Sequence, residues 1–171
     1  MAIRRLALVL AFFAVLLSAA EARAEGTITW TSTGGPPGGL VNALVIAASA
    51  PGTMYAGTNG GVYLTRDDGA HWQLASKGLP DDPTITALAV SADPNVVFAG
   101  THTGIYRTRD AGANWTIADT RFADQFILSL LIDPKTPTTL YAGTATTVLR
   151  SDNSGDTWSE VSADLRAVRV W

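Results

Sequence analysis

Asp81, Asp82 and Asp124 are the side chains of this sequence best suited by type to acid–base chemistry. A glycosidase needs two carboxyl groups ~5–9.5 Å apart across the scissile bond, and these aspartates sit in two polar stretches about one repeat apart. Acidic residues in polar connections usually only solvate them. His102 offers an imidazole but has no partner His at ligand spacing, and His71 lies inside a repeated turn string, so no metal centre is expected. Arg107 and Arg150 stand 43 residues apart. With Arg66 and Arg109 they could line a groove that takes a carboxylate or an acidic peptide segment, the plainer alternative being pairing with nearby aspartates. No Gly-rich phosphate loop, nucleophile elbow or metal-binding helix is present. No catalytic residue and no cofactor are therefore assigned.

The elements that must position these side chains are set by a repeat. TRDDGAHW (Thr65 to Trp72), TRDAGANW (Thr108 to Trp115) and SDNSGDTW (Ser151 to Trp158) follow one another at 43-residue spacing. YAGT at Tyr55, FAGT at Phe98 and YAGT at Tyr141 keep the same spacing, and apolar runs ending at Pro51, Pro94 and Pro134 precede them. The Pro spacing slips in the third unit, and a shorter stretch after Trp115 compensates, which places the slip in loops. Trp30 fits the series as the end of an earlier unit. The repeats are thus 30–72, 73–115 and 116–158, with a partial strand at 159–171. In the middle unit Ile85 to Ser91, Val96 to Thr101, Ile105 to Arg109 and Trp115 to Ala118 read as four short strands separated by Asp-Pro, Thr-Gly and Ala-Gly turns. No sustained helical period runs through the mature chain. Four strands per ~40–45 residues with a Trp in each unit predict an all-β chain, a partial β-propeller of about three four-stranded blades.

The octapeptide has a physical reason for its residue types. The hydroxyl of Thr108 and the carboxylate of Asp110 can accept backbone N–H groups in a tight turn, and Gly112 supplies a positive φ. Trp115 then starts the outer strand and covers the joint with neighbouring residues. Equivalent sets are Thr65, Asp67, Gly69 and Trp72, and Ser151, Asn153, Gly155 and Trp158. Asn153 can still accept one backbone bond but carries no charge, so the third turn is expected to be retained and weaker.

The pattern S/T-x-D-x-G-x-x-W resembles the Asp-box of bacterial neuraminidase repeats, found in sialidases, sortilin-type receptors, xyloglucanase-type hydrolases and photosystem II assembly factors. The resemblance covers nearly all of the mature chain and implies a β-propeller. It also implies that the box is a structural turn between the third and fourth strands of a blade, away from any catalytic centre. A sialidase would further show an arginine cluster, a Tyr nucleophile and an RIP-type segment near its start, and this sequence has no such segment.

The N-terminus reads as an export signal. MAIRR is basic, Leu6 to Ala20 is apolar and short of the ~20 residues that span a bilayer, and Ala22-Arg23-Ala24 has the small-x-small form of a cleavage site. Residues 1–24 are expected to be removed after Ala24, leaving a secreted or periplasmic chain from residue 25 to 171 with no membrane insertion. Arg4-Arg5 fits the twin-arginine consensus poorly. With no Cys, disulfides and lipid anchoring are excluded. The mature chain keeps 9 basic and 14 acidic side chains, a net charge of −5, which gives no support to nucleic-acid binding.

Three blades fall below the usual four to eight, and an open array leaves sheet faces uncovered. Either the chain is a fragment of a larger propeller or copies associate to complete a ring; RAVRVW, resembling an inner strand cut off early, favours the fragment. In a radial meander the octapeptide and Asp-Pro turns share one face. The linkers and the loops after AGT share the other, the ligand face by analogy with such folds. Asn59, His102, Thr103 and Thr146, with the linkers Lys77 to Asp82 and Arg121 to Gln125, are the candidate ligand contacts there. The function expected is a non-enzymatic exported module that binds protein or glycan. The alternative is a fragment of a glycoside hydrolase, xyloglucanase-like or sialidase-like, whose catalytic residues are mostly absent.

Overall fold

The computed structural model describes residues 32, 34–37 and 39–161. The leader, the Trp30 string and the closing segment 162–171 lie outside them. Twelve strands form three four-stranded antiparallel sheets. The first holds β1 (Val41–Ile46), β2 (Met54–Thr58), β3 (Gly61–Thr65) and β4 (Gln73–Leu74). The second holds β5 (Ala87–Val90), β6 (Val97–Thr101), β7 (Gly104–Thr108) and β8 (Trp115–Ile117). The third holds β9 (Ile127–Ile132), β10 (Leu140–Thr144), β11 (Val148–Ser151) and β12 (Ser159–Glu160). Each sheet is a meander in chain order, so the chain is a partial β-propeller of three blades. A 3-10 turn at Thr120–Phe122 is the one helical element among the described residues.

Strand period assigns side chains alternately to the two neighbouring blades. Leu88 on β5 joins Tyr55, Val62 and Leu64 in the core between the first and second blades. Its neighbour Ala89 joins Phe98, Ile127, Leu140 and Trp158 in the core between the second and third. Each blade is thus covered on both faces only where it has a neighbour on both sides.

The glycine of each AGT block explains how closely the blades approach. A Cβ on Gly57 would lie 2.4 Å from Cγ2 of Ile85, and one on Gly100 would lie 2.7 Å from Cγ2 of Ile127. A β-branched knob from each following blade therefore fills a hole that only glycine leaves open. The knob also revises the expected strand start at Ile85. Its N–H donates to Thr58 O of the first blade at 3.0 Å, and β5 proper begins at Ala87.

The octapeptide turns form as their residue types require. Thr108 Oγ1 accepts from the N–H groups of Asp110 and Gly112 and donates to Asp110 Oδ1 at 2.7 Å; Asp110 Oδ1 also accepts from the Asn114 N–H at 2.8 Å. Thr65 and Ser151 repeat the arrangement, and Asn153 Oδ1 accepts from the Thr157 N–H at 2.9 Å. Two consecutive residues, not the glycine alone, adopt positive φ: Ala111 at 57° and Gly112 at 88°, with Asp68–Gly69 and Ser154–Gly155 alike. Each turn is tied to the strand-one-to-two turn of its own blade, as by the Ala111 N–H to Asn95 O. Both turn types therefore share one face of the array.

Trp115 is 3% exposed, and its Nε1 donates to Ala75 O of the first blade at 2.7 Å. Trp158 is as deeply buried, although its Nε1 has no partner among the described residues. Trp72, with no blade described ahead of it, is only half-buried.

Candidate functional site

Opposite the octapeptide face lie the loops after AGT, whereas the first linker starts beside the second octapeptide, Lys77 O accepting from the Trp115 N–H at 2.8 Å. The threonine that ends each AGT block builds the loop that follows it. Thr101 Oγ1 accepts from the Thr103 N–H at 3.0 Å and donates to Gly104 O at 3.1 Å. Thr58 does the same with Gly60 and Gly61, and Thr144 with Thr146 and Thr147. These threonines were not singled out from sequence, although their recurrence in all three copies, with a tight turn beginning right after, was the available signal.

The candidate contacts separate into groups. Asn59 Oδ1 accepts from Asn42 Nδ2, which also donates to Ile85 O, so Asn59 belongs to the joint between the first two blades. His102 stacks edge-on against Phe126 with ring centroids 4.5 Å apart, and Phe126 is 44% exposed. The Asp124 N–H donates to Thr103 O, which ties the second linker to the same loop; Asp124 itself has φ 64°. His102, Thr103, Asp124 and Phe126 therefore form one patch. Thr146 lines a neighbouring cleft of about 500 Å³ with Arg121, Phe122, Gln125, Thr147, Leu149 and Glu160.

Arg121 is held rather than free. Its Nε and Nη2 donate to the two carboxylate oxygens of Asp119, and Nη2 also reaches Trp158 O at 3.1 Å. That guanidinium, with the N–H groups of Arg121 and Trp158, holds the Asp119 carboxyl down at about 2 against the opposing effect of burial. The cleft wall is thus a braced ion pair that also fixes the start of the third outer strand.

Arg107 and Arg150 lie toward the octapeptide end and are not brought together with the loop residues. Arg107 Nη1 donates to Ser154 O and to Asp156 Oδ1 at 2.6 Å, and Arg109 joins Asp156 at 3.0 Å. Both arginines therefore clamp the third octapeptide, and Arg107 holds the Asp156 carboxyl below its ordinary value. Arg150 folds onto its own Asp152 at 2.6 Å and lies 5.8 Å from the centre of the Tyr141 ring.

Of the acidic residues weighed for acid–base work, Asp82 has a local side-chain partner. Asp82 Oδ1 accepts from Thr84 Oγ1 at 3.1 Å. On the opposite face His71 Nδ1 contacts Asp67 Oδ2 at 2.7 Å, and this bond, then the His71 N–H and the Thr65 hydroxyl, holds Asp67 at about 2. Among the described residues no three His, Cys, Asp or Glu side chains gather where they could hold a metal ion.

No family model matches the chain, and no curated protein does. Solved structures do match. An ancestral GH74 enzyme superposes with a TM-score of 0.65 at 22% identity over 72% of this chain and 18% of its own. The GH74 enzyme of Niastella koreensis gives 0.59 at 20% identity over 73% of this chain and 23% of its own. YCF48 bound to D1 peptide gives 0.59 at 14% identity over 77% of this chain and 44% of its own. This chain therefore spans less than half the length of each of these relatives. At such identities the likeness is one of fold, and the blade architecture read from the repeats is what it has in common with them.

Proposed function

We propose that this chain is an exported, non-enzymatic propeller module of the Asp-box type, released by cleavage after Ala24, that binds a protein segment through its loop face. The observation that carries this reading is the cleft between Arg121, Gln125 and Thr146, with the exposed Phe126–His102 pair beside it. An exposed aromatic beside a braced polar wall suits a peptide backbone with one apolar side chain. YCF48, a structural relative of the same fold, was solved with a peptide bound.

The test is binding of the purified exported chain to a peptide array and, in parallel, to a glycan panel. Peptide binding weakened about tenfold or more by Phe126→Ala or Gln125→Ala, and unchanged by Asp67→Asn on the opposite face, is the expected result. Binding confined to glycans would replace the protein partner with a carbohydrate. Hydrolysis of the glycan panel that is lost on replacing Asp82 or Asp124 would overturn the non-enzymatic reading.

A further inference from the structure

The two internal joints differ at the outer rim, where the third strand of one blade meets the octapeptide of the next. At the second joint Arg107 Nη1 and Arg109 Nη2 both donate to Asp156 Oδ1, at 2.6 and 3.0 Å. A shift of one 43-residue repeat carries these three positions to Leu64, Arg66 and Ala113 at the first joint. The strand register agrees, since Leu64 pairs with Tyr55 as Arg107 pairs with Phe98. The first joint therefore keeps one of the two arginines and lacks the carboxylate that both of them hold at the second. Leu64 is buried in the core. Arg66 stays exposed and has no hydrogen bond or ion pair among the described residues.

What the first joint has instead is a groove of about 240 Å³ between β4 and the second octapeptide, whose lining includes Leu64, Arg66, Gln73, Lys77, Asp110 and Ala113. The Lys77 carbonyl is fixed by the Trp115 N–H, which holds that residue at the rim, and its ammonium makes no ion pair among the described residues. Asp110 is the opposing charge. Its Oδ1 accepts from the Thr108 hydroxyl and the Asn114 N–H, and its Oδ2 from Asn114 Nδ2, so both oxygens are engaged within their own turn. Two cations thus stand over an apolar floor of Leu64 and Ala113 with no carboxylate bonded to either.

We infer that this groove takes an acidic side chain of a protein segment lying along the rim of the first joint, its carboxylate standing where Asp156 stands at the second. The chemical class follows from the second joint, where the guanidinium at this register is met by a carboxylate carried on a polypeptide turn. A free carboxylate is not enough, because a lone ion pair in water holds little. A segment adds contact with the apolar floor and a bond from its backbone to the Gln73 amide. Both walls of the groove belong to described blades that already pack together, and the inference is independent of what the loop face binds.

The test is retention of the full chain, produced in a secreting host, on an array of hexapeptides with Asp or Glu fixed at one central position, against the same array with Asn or Gln there. Retention on acidic members is expected to exceed that on their amide counterparts about tenfold or more. Arg66→Ala is expected to remove most of it, and Ala113→Asp, which supplies the second joint's carboxylate within the chain, to abolish it. Asp110→Asn takes away a like charge and is expected to strengthen it. Lys135→Ala, an exposed cation on the third blade, is expected to change nothing; all four positions are exposed, and retained β-sheet circular dichroism verifies each fold. Equal retention of acid and amide members, equal losses with Arg66→Ala and Lys135→Ala, or retention that survives Ala113→Asp would overturn the inference. Loss with Phe126→Ala but not Arg66→Ala would also overturn it, by moving the binding to the loop face. Displacement by acetate at the concentration of the peptide would overturn the protein partner in favour of a free carboxylate.

Discussion

Thr108 is 1% exposed and its hydroxyl takes two backbone N–H groups that have no other partner inside the turn. Thr108→Ala leaves them unsatisfied and should lower stability by about 1–3 kcal/mol, read from urea unfolding. Asp110 differs, because it lies on the solvent side of the same turn and Asn153 shows that an amide can replace it. Asp110→Asn is therefore expected to unfold close to wild type, and Asp110→Ala clearly earlier. The charge matters for acid stability. The Asn114 side chain first, then the Thr108 hydroxyl and the Asn114 N–H, hold the Asp110 carboxyl at about 2 rather than 3.8. A depressed pKa stabilises the fold fully above the unfolded value and ceases to do so as pH falls through the folded one. With Asp67 and Asp119 also at about 2, the thermal midpoint should hold down to about pH 4 and fall steeply toward pH 2. Asp110→Asn should flatten part of that fall.

Elements lock through small features that carry different amounts of information in the sequence. Turn chemistry was legible, since Thr, Asp and Gly at fixed offsets allow few backbone arrangements, and so was the face each turn occupies. The arginine clamp was less so. Arg107 stands where the first blade has Leu64, and Asp156 stands where the second octapeptide has Ala113. The two changes face each other across one joint, but only the blade packing reveals it. The AGT glycine was visible as a repeat without its purpose, because the knob that fills it comes from the next unit. That purpose gives a comparison: Gly100→Ala should open the second joint and destabilise by about 1–3 kcal/mol. Among the described residues Gly143→Ala has only a serine hydroxyl to displace, and it should cost measurably less in the same unfolding assay. Trp115→Ala, which removes a ring from one joint and its bond to Ala75, should lower stability by about 3–5 kcal/mol.

At the scale of the molecule, the described blades bury two joints, and Leu44, Ile46 and Leu131 on the outer faces are 57%, 62% and 60% exposed. Ile46→Glu should leave the thermal midpoint nearly unchanged, since Ile46 belongs to neither internal core. Differential scanning calorimetry reads the midpoint.

The glycine hole and the knob that fills it lie on opposite sides of every blade, and this polarity has a genetic consequence. A tandem duplication of the 43 codons of one unit, such as 73–115, stays in frame and delivers one knob, one hole and one turn in the right order. Each such event lengthens the array by a blade without exposing a new kind of surface, because the two ends remain what they were. A gene of this design can therefore change its blade number by recombination alone.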